Sequence, residues 1–200
     1  MKAGERDEFL RAAWRVLVAA KREARDLVFV DEMGAHTSLA PVYGYSPRGE
    51  RVYTEVPRNR GPNTTLLASM SVEGMGECLA VEGATTKVIF ETYVERVLAP
   101  SLRAGQIVVM DNLSAHKGEK VVELIEARGC EVLYLPPYSP DYNPIEEAFS
   151  KIKALLRESA ARTREALIEA LGAAISAVSS TDALGFMEHC GYRRSLVQLL

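Results

Sequence analysis

Two short segments, LVFVDE (27–32) and QIVVMD (106–111), run apolar without interruption until each ends in an acid. A strand with no polar alternation is buried on both faces, so it belongs in a sheet with helices packed against it. Such an interior is costly for a charge. An acid avoids that cost at the strand's carboxyl end, where sheets of this kind open onto a ligand-binding crevice. Asp31 and Asp111 occupy those two ends. Each could equally just end its strand and begin a turn. Two of them on neighbouring strands, however, would repel each other unless a cation neutralised them. Hard oxygen ligands of this type suit Mg²⁺ or Mn²⁺.

The rest of the pattern supplies a sheet and its helices. Residues 5–25 read as an amphipathic helix with Phe9, Ala13, Val16 and Ala20 on one stripe. PVYGYSPRGERVYTEV (41–56) predicts a hairpin turning at Ser46-Pro47-Arg48-Gly49. NTTLLASMSV (63–72) and ECLAVEG (77–83) predict two more strands joined by a short turn, an antiparallel beginning. A helix over 87–98 follows, and then the strand 106–111, a helix over 118–129 and a strand over 131–135 form a parallel crossover unit. Helices follow at 145–159, 163–179 and 182–189. The expected class is α/β: a mixed five-stranded sheet, antiparallel in its first three strands and then parallel, flanked by helices.

The 200 residues suffice for one such core. We divide them into an N-terminal helix and linker (1–25), a catalytic domain (26–160) and a C-terminal helical extension (161–200). The longest early apolar run, Val16–Ala20, is too short for a signal peptide or a membrane span. Cys78, Cys130 and Cys190 are odd in number and widely spaced, which suggests neither a disulfide framework nor a zinc motif and points to a reducing cytoplasm. A net charge of −3 and a pI near 5.7 leave any grip on nucleic acid to local basic patches.

A third acid comes from YSPDYNPIEEAFSKIK (138–153). Asn143 fits a helix N-cap and Pro144 the first helical position. Ile145, Phe149, Ile152 and Leu156 then form the apolar stripe, with Glu146 at its edge and Glu147 nearly opposite. Glu146 can therefore look along the sheet towards the strand ends. A Glu three residues after an Asn cap can also complete a capping box. Asp141 is a rival acid, although Ser-Pro-Asp more often marks a turn.

MDNLSAHK (110–117) followed by LPPYSPDYNPIEEAFSKIK (135–153) resembles the signature of mariner-superfamily transposases, and more closely their bacterial insertion-sequence branch. VFVDEMG (28–34) and YGYSPRGERV (43–52) resemble the same family's first strand and following hairpin. The likeness covers nearly all of 27–155, and the 34 residues between Asp111 and Glu146 match that branch's Asp-Asp-Glu spacing. The resemblance implies a ribonuclease H-like fold, and Asp31, Asp111 and Glu146 as metal ligands. It also implies DNA cleavage and strand transfer with two Mg²⁺ or Mn²⁺ ions roughly 4 Å apart. Asp31, on the central strand, is expected to bridge the two. Further implied are double-stranded DNA at transposon ends and target, a homodimer, and a bacterial cytoplasm with association to the nucleoid during activity.

Around this core, Asn112, His116 and Lys117 are candidates for orienting the scissile phosphate, or for a solvated helix start. Arg48, Arg51, Arg58 and Arg60 form one basic patch; Lys151, Lys153 and Arg157 form another. Either would contact phosphates or simply be a solvated face. Glu32 should point to the opposite face of its strand from Asp31. His36 and His189 lack partners at metal-ligand spacing. His189 is expected to pack beside Cys190, and Trp14 to lie in the core or an interface. One helix before Asp26 is too short for a helix-turn-helix module, so an upstream recognition half on a separate or fused reading frame is expected. Two further readings stand beside the transposase: an inactive or repurposed remnant that interacts with DNA, and a general ribonuclease H-like nuclease.

Overall fold

The computed structural model describes residues 6–20, 22–53, 55–58, 61–113 and 116–192. Its five strands are β1 (Leu27–Ala35), β2 (Thr64–Ser71), β3 (Gly74–Glu82), β4 (Ile107–Met110) and β5 (Glu131–Tyr134). They form one sheet in the order β3-β2-β1-β4-β5. The pairs β1–β2 and β2–β3 are antiparallel, whereas β1–β4 and β4–β5 are parallel. This is the mixed sheet expected from the sequence.

The chain opens with α1 (Glu8–Trp14), which continues through a π-helical turn to Ala19. A second helical run, α2 (Lys87–Tyr93), continues through a π-helical turn into α3 (Ala99–Ser101). It is capped by Thr86, whose hydroxyl accepts from Ile89 N at 3.3 Å. After β4 come α4 (Glu119–Glu126), α5 (Ile145–Ser159), α6 (Arg164–Ser176) and α7 (Ser180–His189). Among the described residues no single helix is long and apolar enough to cross a membrane.

Alternation along β1 divides the interior into two cores. Leu27, Phe29, Met33 and Ala35 join Trp14, Phe149, Ile152, Leu171 and Met187 on one side. Val28 and Val30 join Phe90, Tyr93, Leu98, Val121 and Ile125 on the other. Asp31 shares the parity of Phe29 and Met33, so its side chain emerges on the face covered by α5. Glu32 takes the opposite face. The turn between β2 and β3 needs Gly74, whose φ is +118° and whose added Cβ would stand 3.1 Å from Val178 O.

One expected element is absent. Residues 41–53 form no strand, and the local order there is a turn in which Glu50 N donates to Pro47 O at 3.0 Å. Val42, Tyr43, Tyr45 and Tyr53 are exposed. The apolar residues of this segment find no surface to cover, and a two-stranded hairpin without a third strand or helix beneath it is marginal in water.

Candidate active site

The sheet register brings the first two acids together. Val30 is level with Met110 across the parallel pair, so the next residues, Asp31 and Asp111, stand side by side. β4 ends there, whereas β1 runs on beside β2 with Asp31 opposite Ala68. Asp31 is therefore buried, at 7% exposure, but lies on the edge of an opening. That opening is a cleft of about 440 Å³ lined by Asp31, Asp111, Asn143, Glu146 and the proline loop 135–140. Glu146 projects into it from the first turn of α5 and is exposed.

Burial pushes the Asp31 carboxyl up to about 7. The Glu32 backbone N–H, donating to Asp31 Oδ1 at 2.7 Å, works against this shift, and the charges of Asp111 and Glu146 add to it. A buried carboxyl repelled by two others on one cleft is an arrangement that a divalent cation relieves. The donors are all hard oxygens and so fit Mg²⁺ or Mn²⁺ in kind. Among the described residues, no three His, Cys, Asp or Glu side chains already stand close enough to hold one ion. Glu146, on an exposed first turn, is the acid with freedom to turn inwards.

Two neighbours hold the two aspartates in place. Asn143, itself buried, donates from Nδ2 to Asp31 Oδ2 at 2.7 Å. This corrects the expected N-cap: α5 has no side-chain cap, Pro144 takes the cap position, and no capping box involves Glu146. An Asn before Pro-Ile-Glu reads locally as a cap, and its true partner lies 112 residues away in sequence. His116 is fully buried and stacked on Phe90 at 4.2 Å, and its Nδ1 lies 2.5 Å from Asp111 Oδ1. It has no surface to offer DNA, which corrects its place among the phosphate contacts. Leu113 N also donates to Asp111 Oδ1, at 3.1 Å.

The profile of the DDE superfamily endonucleases matches residues 26–168, well over half the chain and all three acids. The chain belongs to the DDE superfamily endonucleases. No curated protein matches its sequence. The Mos1 transposase paired-end complex with left transposon end superposes with a TM-score of 0.73 at 18% identity, over 94% of this chain and 58% of the other. A pre-cleavage Mos1 transpososome gives 0.71 at 17%, over 92% and 57%. The Mos1 catalytic domain with raltegravir and Mg gives 0.69 at 18%, over 94% and 89%. At these identities the likeness concerns the fold, which is the ribonuclease H-like fold of that catalytic domain. The chain spans 57–58% of the length of the transposases in those two complexes.

The remaining expected residues scatter around this DDE cleft. Asn112 lines it and is exposed. Lys117 is exposed, with Nζ 5.9 Å from the centre of the Tyr134 ring. Arg48, Arg51 and Arg58 are exposed on the irregular segment after β1, and Arg60 lies outside the described residues. Lys151 is ion-paired with Asp182 at 2.7 Å, and Lys153 is half-buried on α5. Asp141, the rival acid, is held by Arg11. Trp14 is in the core, donating to Tyr192 Oη at 3.0 Å. His189 does not pack beside Cys190 but is exposed, with Nδ1 2.5 Å from Glu147 Oε1.

Proposed function

We propose that this DDE domain is the catalytic part of a DNA transposase of the bacterial insertion-sequence branch, cleaving strands at transposon ends and joining them to target DNA. The observation that carries the reading is the parallel register that sets Asp31 beside Asp111 on a cleft reached by Glu146. In the cleavage step a water oxygen bonds to phosphorus and the bond to the 3′ oxygen breaks, leaving a 3′-hydroxyl and a 5′-phosphate. In the transfer step that 3′-hydroxyl bonds to a target phosphorus and displaces the target's own 3′ oxygen. Asp31, Asp111 and Glu146 would hold Mg²⁺ or Mn²⁺, in two sites, which when bound supplies Lewis acidity at phosphorus.

The chain's own residues preorganise this chemistry. Asn143 fixes one Asp31 oxygen and the Glu32 backbone the other, on the cleft that Asp31 lines. His116 fixes Asp111 and is itself held by its stack on Phe90. Removing such outer partners typically costs about 10- to 100-fold in metal affinity or activity. Asn112, Lys117, Lys153 and the Arg48, Arg51 and Arg58 segment are the surfaces for double-stranded DNA, at both transposon ends and target. The active form in this reading is a homodimer in the bacterial cytoplasm, at the nucleoid while it acts. Recognition of the end sequences falls to a helix-turn-helix half, on a separate or fused reading frame. Residues 26–160 are the catalytic unit, flanked by 1–25 and 161–200.

The test is Mn²⁺-dependent nicking and strand transfer on labelled DNA bearing the element's ends, comparing the chain with Asp111→Asn. Products that require metal and vanish in the variant are expected. Folded protein that binds DNA but forms no products would point to a remnant, and cleavage confined to RNA–DNA hybrids to a general nuclease.

A further inference from the structure

The loop 136–144 delivers both Asn143 and Glu146, and what holds it lies outside the segment that matches the family. Arg11, on α1, is only 2% exposed although its helix lies on the surface. Its guanidinium donates to Ser139 Oγ at 2.7 Å and, through both terminal nitrogens, to the two Asp141 oxygens at 2.9 and 2.5 Å. It also stacks 4.3 Å from the centre of the Tyr142 ring. Ser139, Asp141 and Tyr142 thus all meet a single residue about 130 positions earlier. A second strut runs parallel to the first. Trp14 donates to Tyr192 Oη, which donates to Tyr142 O at 2.7 Å. Tyr192 in turn packs 5.0 Å from Phe29, two residues before Asp31.

We propose that Arg11 is a positioning residue for catalysis: α1 locks the loop 136–144, so that Asn143 meets Asp31 and Glu146 faces the cleft. The fork geometry is the reason to assign it more than packing. The pair is buried at its Arg11 end and half-exposed at Asp141, and its two parallel N–H···O bonds impose one geometry on the loop. Inside the loop, Tyr142 N donates to Ser139 O, Asn143 N to Pro140 O and Glu146 N to Asn143 O, at 3.0, 2.9 and 3.1 Å. Those three bonds set the backbone from the braced residues to the acid. A displacement of α1 would therefore reach the acids through the loop, which makes this helix a handle on the active site.

The test uses the whole chain, with amide hydrogen exchange and Mn²⁺-dependent nicking read on the same preparations. In Arg11→Met the amides of Tyr142, Asn143 and Glu146 should exchange about tenfold faster, while those of β1 and β2 keep their rates. Half-maximal protection of these amides by Mn²⁺ should need about tenfold more metal, and nicking should lose about tenfold in kcat with KM for DNA retained. Arg11→Lys keeps the charge but loses the fork, and should fall between the two. Asp141→Asn alters the half-exposed end of the pair, leaves the core intact and should loosen the same amides. The nicking arm rests on the transposase reading, whereas the exchange arm does not. A parent chain without Mn²⁺-dependent nicking overturns that reading, and loop exchange with its Mn²⁺ protection still decides the brace. Loop amides that stay protected in both Arg11→Met and Asp141→Asn overturn the brace. Loosened amides with unchanged Mn²⁺ dependence and unchanged kcat overturn its role in positioning.

Discussion

Asp31 combines burial, two carboxylate neighbours and a neutral amide partner, and these have opposite effects on its two protonation states. Its folded value of about 7 lies above the ordinary 3.8, so between those values the folded protein holds a proton that the unfolded chain has lost. The contribution of Asp31 to the stability of the metal-free protein is then fully present below pH 3.8 and is lost as pH rises to about 7, by roughly 4 kcal/mol. Urea unfolding in EDTA at pH 5 and pH 8 should show the part of that fall left above pH 5, roughly 3 kcal/mol, and Asp31→Asn should flatten it while abolishing nicking. Equal stability of the parent at both pH values would refute the argument. Asn143→Ala leaves the Oδ2 side of Asp31 without its donor, and should lower nicking about 10- to 100-fold with a higher Mn²⁺ requirement. An Asn143→Ala protein with unchanged metal dependence would reduce this residue to packing. Sequence alone hides Asn143 as a partner, because its local motif is a complete explanation by itself.

Helices α5 and α7 show what a local pattern carries and what it does not. The stripe Ile145, Phe149, Ile152 and Leu156 is buried as its spacing predicts, and α5 ends at Ser159 as expected. The same periodicity puts Glu146 at the edge of the stripe, from which it reaches the cleft. α7 begins with a capping box in which the Ser179 hydroxyl accepts from Asp182 N, and Asp182 accepts from Ser179 N at 2.8 Å. Asp182 is also bonded to Lys151, and these partners, Lys151 first, hold its carboxyl down at about 2. Its contribution is therefore present above pH 3.8 and is lost as pH falls through 2. Ser179→Ala should cost about 1 kcal/mol by thermal unfolding at pH 7. The midpoint difference between Asp182→Asn and the parent should close as pH approaches 2; a constant gap would mean that the ion pair and cap contribute little. By contrast, the 41–56 hairpin rests on turn chemistry and β-formers alone. It does not form among the described residues, because such a pattern cannot say that no surface lies beneath it.

Across the whole molecule, both cores share one sheet, and the flanking helices seal rather than extend it: Trp14, Leu171 and Met187 lie in the same cluster as Phe29 and Phe149. The exposed segment after β1 is the exception. It presents Tyr43, Tyr45 and Tyr53 together with Arg48, Arg51 and Arg58, in a protein whose net charge is −3. If these arginines meet phosphates, replacing all three with Ala should shallow the dependence of log K on log salt by roughly 0.9 for each phosphate no longer neutralised. Fluorescence anisotropy over a salt series would measure it, and an unchanged slope would return the segment to being a solvated face. The lysines of α5 contribute less on this view, because Lys151 already has a partner.

The order of residues is enough to fix the sheet's class, the strand end beside which Asp111 lies, and the helix that carries Glu146; the end expected at Asp31 is not one, because pairing with β2 carries β1 on to Ala35. Those features follow from short-range periodicity and from the cost of burying charge, which act within a few residues. Only folding sets the two aspartates side by side through the strand register, and only folding puts Asn143 and His116 at the service of the acids. The brace that Arg11 forms on the loop between them has the same origin. Each of these depends on groups brought together from distant parts of the chain or, for His116, on burial against Phe90. No local pattern encodes such meetings, because the partner's chemistry is satisfied equally well by a nearer group until packing removes the choice.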